Sequence, residues 1–234
     1  MRLSPNEKPV ASPSPAPRNA APRPAIRPVS PWAAVPLVAL AGCVDAIGWL
    51  RFDQLFVSFI SGTSTMLGIA AAEGDHARAA ALGMVVGLFA AGALLGAVLG
   101  TAAGRWRSTV VLAAVTLLLA AALLAPPGGG WELPRAAWTM VPAMGMLNTA
   151  LPGVGGITFV TGALSRAMEG LVLGLLGRAR HGAWVQQAAC WGAMVAGALL
   201  GGALQTRWGD AALAVPASAA LLAAMLAALA ALRG

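Results

Sequence analysis

Charge is what this sequence most lacks. Only 10% of its 234 residues are Asp, Glu, Lys or Arg, whereas a soluble domain carries about 25%. There are too few charged side chains to cover a water-facing surface, and 59% of the residues are apolar. The chain reads as an integral membrane protein whose surroundings are the lipid bilayer. Tyrosine is absent and cysteine nearly so. Cys43 and Cys190 both fall inside apolar runs, where a thiol packs as a small hydrophobe; they carry no information about redox compartment. Zinc-ligand spacing, a phosphate-binding glycine loop and a nucleophile motif are also missing. The run Gly153–Gly156 is glycine-rich but no lysine follows it, and His76 and His181 stand alone in loops. The expectation is no enzyme activity, no metal and no cofactor.

The net charge of +7 is unevenly placed: Arg2, Lys8, Arg18, Arg23 and Arg27 stand against Glu7 in the first 31 positions. Residues 1–30 are rich in Pro, Ala and Ser, have no apolar periodicity, and read as a disordered basic tail. No signal-peptide core precedes the first apolar run. Basic residues beside a first span hold that end in the cytoplasm, so the tail reads as a topological anchor in a bacterial cytoplasmic (inner) membrane, not as a nucleic-acid-binding arm.

Eight apolar segments follow, over residues 32–50, 55–72, 79–103, 109–125, 136–151, 157–176, 183–204 and 211–232. About 20 residues are needed to cross the hydrocarbon core. The fifth segment is short and holds Pro142, so six full crossings with two shorter pieces would also fit, but the arginine distribution favours eight. The chain also repeats itself. AGALLG occurs at Ala91–Gly96 and again at Ala196–Gly201, followed by Arg105-Trp106 and Arg207-Trp208. GCVDA at Gly42–Ala46 aligns with GMLNT at Gly145–Thr149, and FISGTSTMLG at Phe59–Gly68 with FVTGALSRAM at Phe159–Met168. Four ordered matches define two tandem repeats, residues 31–126 and 127–234, in one all-α membrane domain. Four segments in each half would give both the same orientation; three would invert one against the other.

Glycines at Gly92, Gly96, Gly100 and Gly104 recur every four residues, as do Gly83 with Gly87, Gly170 with Gly174, and Gly197 with Gly201. This spacing lets membrane helices approach closely. The polar residues carry more. Asp45 lies within the first span, where an ionised carboxylate costs a few kcal/mol; its counterpart is Asn148. It either binds a proton, a cation or a polar solute, or caps the start of a following turn. The stretch Phe56–Gly68 packs Ser58, Ser61, Thr63, Ser64 and Thr65 around Gly62, and its hydroxyl-glycine step returns as Thr161-Gly162. Matched glycine-interrupted polar segments in a duplicated membrane protein point to a central binding site. Arg166 and Glu169, at i and i+3, are placed to pair on one helix face.

At GCVDAIGWL, FVSFISGTSTMLG, GMLNTA and TFVTGAL the chain resembles the YoaK family of bacterial multi-span inner-membrane proteins, a domain of unknown function. Where that family has a Thr-Gly-Asn box, this chain has Ser61-Gly62-Thr63, and Thr149 replaces an alanine. The resemblance spans Pro31 to the C-terminus and implies a multi-span membrane protein without implying an activity. The residues favour a small-solute secondary transporter with a substrate or ion site formed by Asp45, Ser61, Gly62, Thr63, Asn148, Thr161 and Gly162. The alternative is a non-transporting scaffold or sensor whose polar boxes only pack helices. The solute's identity, the direction of movement and any homo-oligomeric state are left open.

Overall fold

The computed structural model describes residues 30–125, 129–130, 133–154, 156–178 and 182–233. The tail expected over residues 1–30 lies outside them but for Ser30, as does His181. Each apolar segment becomes one helix: α1 Ala34–Arg51, α2 Ile60–Glu73, α3 His76–Ala103, α4 Arg107–Leu124, α5 Ala137–Leu147, α6 Val160–Leu175, α7 Gly182–Trp208 and α8 Ala214–Arg233. Two-residue strands, Gly129–Gly130 and Leu133–Pro134, pair antiparallel in the link between the halves.

Among the described residues three apolar helical stretches are long enough to cross a membrane: Pro31–Arg51, His76–Leu124 and Trp184–Arg233. The two longer ones, of 49 and 50 residues, would each extend to about 74 Å as straight helices, more than twice the ~30 Å hydrocarbon core. Each is instead two helices, α3 with α4 and α7 with α8, joined by a 3-10 turn. The turns begin at Gly104 (φ 56°) and Gly209 (φ 52°), where a left-handed backbone favours glycine. Gly104 was expected to continue the glycine face of α3; it is the corner that ends the helix. At 14, 11 and 16 residues, α2, α5 and α6 are shorter than a full crossing.

α1 and α5 are the buried centre of the bundle. α5 buries Met140, Val141, Met144, Met146 and Leu147, and α1 buries Leu37, Val38, Leu40, Val44 and Ile47. Neither is gripped by its own half. α1 packs along α7 and α5 along α3, while α4 packs on α8. Glycines make these seams: a Cβ at Gly42 would overlap the backbone of Met194, and Cβ atoms at Gly197 and Gly201 the backbones of Ala39 and Cys43. The second seam repeats the first, with Gly145 against Phe89, Gly92 against Pro142 and Gly96 against Met146 and Thr149. In both seams residue numbers rise together, so α1 runs parallel to α7 and α3 to α5. Four crossings per half predict this relation, and so do three with α2 and α6 left out. The glycines of the duplicated AGALLG motif are therefore the ones pressed onto the opposite half's backbone, and helix packing without a hydrophobic drive depends on that closeness.

α2 and α6 sit outside this core, each packed on the helix that follows it. Gly83 and Gly87, expected to form a packing face, meet little: a Cβ at Gly83 would touch only Leu67, 4.0 Å away, and one at Gly87 nothing. An ion pair bridges the halves where Arg51, ending α1, meets Asp210 in the second 3-10 turn at 2.9 Å. A second contact between the halves has a neutral acceptor: Arg107 forks Nε and Nη2 onto the Thr149 carbonyl at 3.0 and 2.9 Å.

Candidate functional site

The site grows from a break between two helices. After α1 ends at Arg51 the chain turns through Asp53 and Gln54, both with positive φ, and folds back to the level of Asp45. Asp45 lies six residues before the end of α1, so the return reaches roughly 9 Å into the bundle. The carboxylate, only 4% exposed, holds the returning segment in place. Its Oδ1 accepts the Val57 and Ser58 backbone N–H groups at 2.9 and 2.7 Å, and its Oδ2 accepts the Ser58 hydroxyl at 2.5 Å. Buried polar groups need such partners, and here each side satisfies the other. No Lys or Arg side chain forms an ion pair with Asp45 among the described residues.

The second half builds the same clasp from neutral parts. Asn148 Oδ1 accepts the Thr158 backbone N–H at 3.0 Å and the Thr158 hydroxyl at 3.2 Å, while its Nδ2 donates to the Met144 carbonyl at 3.0 Å. Asn148 caps the end of α5, whereas Asp45 sits well inside α1, so the charged clasp is the deeper of the two within its helix. In each half the held residue leads within two positions into the short helix, α2 or α6.

Of the residues expected to form the site, the structure brings Asp45 and Asn148 into matched roles, but their partners are Ser58 and Thr158 rather than Ser61 and Thr161. Ser61 and Thr161 are exposed at the first turns of α2 and α6, and their hydroxyls make no hydrogen bond among the described residues. Thr63 is fully buried and donates back to the Phe59 carbonyl at 3.2 Å. Thr65 and Ser165 make the same i−4 bond to Ser61 and Thr161. Gly62 and Gly162 have a packing role: a Cβ at either would overlap the ring of Phe59 or Phe159, folded back over its own helix start. Ser58 and Thr158 could have been found in the sequence by their common offset of about a hundred residues and their place just after the Asp45 and Asn148 elements.

Beside the charged clasp lies an open cleft of about 450 Å³, walled by Gly42, Asp45, Trp49, Phe56, Met194 and Ala198 among others. It is bounded by α1 from one half and α7 from the other. The expected Arg166–Glu169 pair is not among the ion pairs of the described residues; Arg166 Nε instead donates to Gln187 Oε1 on α7 at 3.3 Å.

A family model described as a protein of unknown function (DUF1275) matches residues 33–227. The chain is similar to the UPF0700 transmembrane protein RA0705 of Rhizobium meliloti (strain 1021), 39% identical over 187 residues, covering 78% of this chain and 79% of that protein. No solved structure matches it.

Proposed function

The chain belongs to the DUF1275 family, which supplies no activity, and we propose from its geometry that this membrane protein is a secondary transporter of a small solute. One observation carries the reading: two matched polar clasps, Asp45 on Val57–Ser58 and Asn148 on Thr158, each fix a break before a short helix at corresponding places in two interlocked halves. Discontinuous helices in corresponding positions of a duplicated membrane protein are where transporters build their sites. The halves would rock on the glycine seams α1–α7 and α3–α5, with the cleft beside Asp45 as the entry on one side. Asp45 is the group that would hold a cation or couple its movement, and Asn148 its neutral counterpart. The setting would be a bacterial cytoplasmic membrane with the N-terminus inside. Arg51, at the helix end opposite the tail, is engaged by Asp210.

The test is flux in proteoliposomes across a panel of amines, amino acids, sugars and carboxylates, with Asp45→Asn as the paired control. Solute-specific flux that Asp45→Asn abolishes supports coupled transport; a chain that moves none of the panel does not fit the reading. A second reading has its own observation. The Asp45 carboxylate is already satisfied by its own chain, as a structural clasp would be, and a scaffold would need nothing more of it. In that case Ser58→Ala lowers thermal stability by the same amount with and without every solute.

A further inference from the structure

The cleft beside Asp45 has a composition that its counterpart does not. Trp49 and Phe56 stack at 4.4 Å between ring centroids, tilted by 35°, and Phe56 meets Phe59 edge-on at 5.3 Å. Trp49, Phe56, Phe59 and Asp45 line one open cleft, with Met194 and Ala198 of α7 on its other wall. In the second half the aligned position of Asp45 is Asn148. Those of Trp49 and Phe56 are Pro152 and Gly156, and only Phe159 remains. The aromatic wall and the negative charge are present together in one repeat and lost together in the other. Helix packing alone gives no reason for that, because the clasp closes with either an acid or an amide.

Among the described residues the charge has neutral donors and no ion-pair partner. Val57 N–H, Ser58 N–H and the Ser58 hydroxyl point at the carboxylate, while the Arg51 Nη2 pairs with Asp210 and its buried Nη1 meets no hydrogen-bond acceptor. The Asp45 carboxylate, 4% exposed and held by neutral donors, borders a cleft walled by the Trp49, Phe56 and Phe59 side chains, and this pairing of a charge with aromatic rings is what an organic cation uses. The rings' quadrupoles draw the positive centre, and the apolar walls draw its body out of water. An anion or a sugar would find neither a cationic partner nor a set of free hydroxyls there.

We propose that this cleft binds an organic cation with an apolar body, of the ammonium or phosphonium class, as the solute-recognition site of the transporter reading on which it rests. Asp45 supplies the countercharge, and Trp49, Phe56 and Phe59 supply the face on which the cationic centre sits.

The experiment is equilibrium binding of radiolabelled tetraphenylphosphonium to the full chain in zwitterionic nanodiscs. Competition is by benzyltrimethylammonium and by its neutral isostere neopentylbenzene. Saturable binding is expected, displaced by the ammonium and not by the neutral compound. Asp45→Asn, whose amide can hold Ser58 as Asn148 holds Thr158, should weaken binding at least about tenfold, since a charge partner in a membrane interior is lost. Trp49→Leu, which keeps the carboxylate, should weaken it by about three- to tenfold. Equal displacement by the neutral isostere, or unchanged binding in Asp45→Asn, overturns the proposal. Saturable, charge-selective binding with no flux in proteoliposomes keeps the cation site and removes transport. Flux of an uncharged solute with no cation binding does the reverse.

Discussion

Ser58 gives both of its polar hydrogens to Asp45, its backbone N–H to one carboxylate oxygen at 2.7 Å and its hydroxyl to the other at 2.5 Å. One residue thereby fixes the return of a whole segment into the bundle. The equivalent bonds from Thr158 to Asn148 are longer, at 3.0 and 3.2 Å, and both fall on a single neutral oxygen. The two clasps should differ in strength accordingly.

Removing the hydroxyls tests that order. A hydrogen bond to a charged group contributes about 1.5–3 kcal/mol and a neutral one about 0.5–1.5. Ser58→Ala should therefore lower the unfolding free energy in detergent more than Thr158→Val. Equal losses, or the reverse order, would mean that Asp45 is not the stronger acceptor.

Asp45→Asn should fold, because Asn148 shows that an amide oxygen accepts the backbone N–H and hydroxyl of one residue, two of the three donors that Asp45 holds. Asp45→Leu leaves the N–H groups of Val57 and Ser58 and the Ser58 hydroxyl without their acceptor, at about 1–3 kcal/mol for each buried orphan. The measurement is the melting temperature of the two variants side by side. If Asp45→Leu melts with the wild type, the clasp contributes nothing to the fold.

The glycine seams predict a sharp positional contrast. Alanine at Gly42, Gly145 or Gly197 drives a methyl group into the opposite half's backbone, and overpacking of this kind costs about 1–3 kcal/mol. Alanine at Gly87 or Gly202, where a Cβ would meet open space, should be near neutral. Thermal melting of the five single variants separates the two groups.

Gly62→Ala should displace the Phe59 ring rather than alter any hydroxyl chemistry, and Phe59→Leu in the same chain should recover part of the loss. A double-mutant cycle reads the coupling, for which contacting residues give about 0.5–3 kcal/mol. A coupling of zero would return Gly62 to the role of a helix-breaking step.

The sequence carried the helices well, because a bilayer demands long apolar runs and punishes their interruption. The expected segment over residues 79–103 is α3 His76–Ala103, and that over 157–176 is α6 Val160–Leu175. The glycines of the two AGALLG stretches, Gly92 with Gly96 and Gly197 with Gly201, are ones whose Cβ would meet the backbone of another helix. Which hydroxyl mattered was not legible. Ser58, Ser61 and Thr63 are near neighbours in the chain, and only the depth of Asp45 in α1 decides which one it meets. Gly104 was misread for a related reason. It continues the four-residue spacing of Gly92, Gly96 and Gly100, and spacing cannot distinguish a glycine that packs from one that turns the chain.

The exchange of partners between halves also sets an order of events during synthesis. The seam that buries Gly42 is completed by Met194, Gly197 and Gly201, which are made some 150 residues later. At about 5–20 residues per second that delay is roughly 8–30 s. Through that interval α1 stands in the membrane with its closest-fitting face uncovered and its one carboxylate held only by its own returning segment. The Asp45 clasp is then the first tertiary contact α1 can make. A nascent chain without it would wait for its distant partner with a bare charge in lipid, the state that membrane quality control is built to detect.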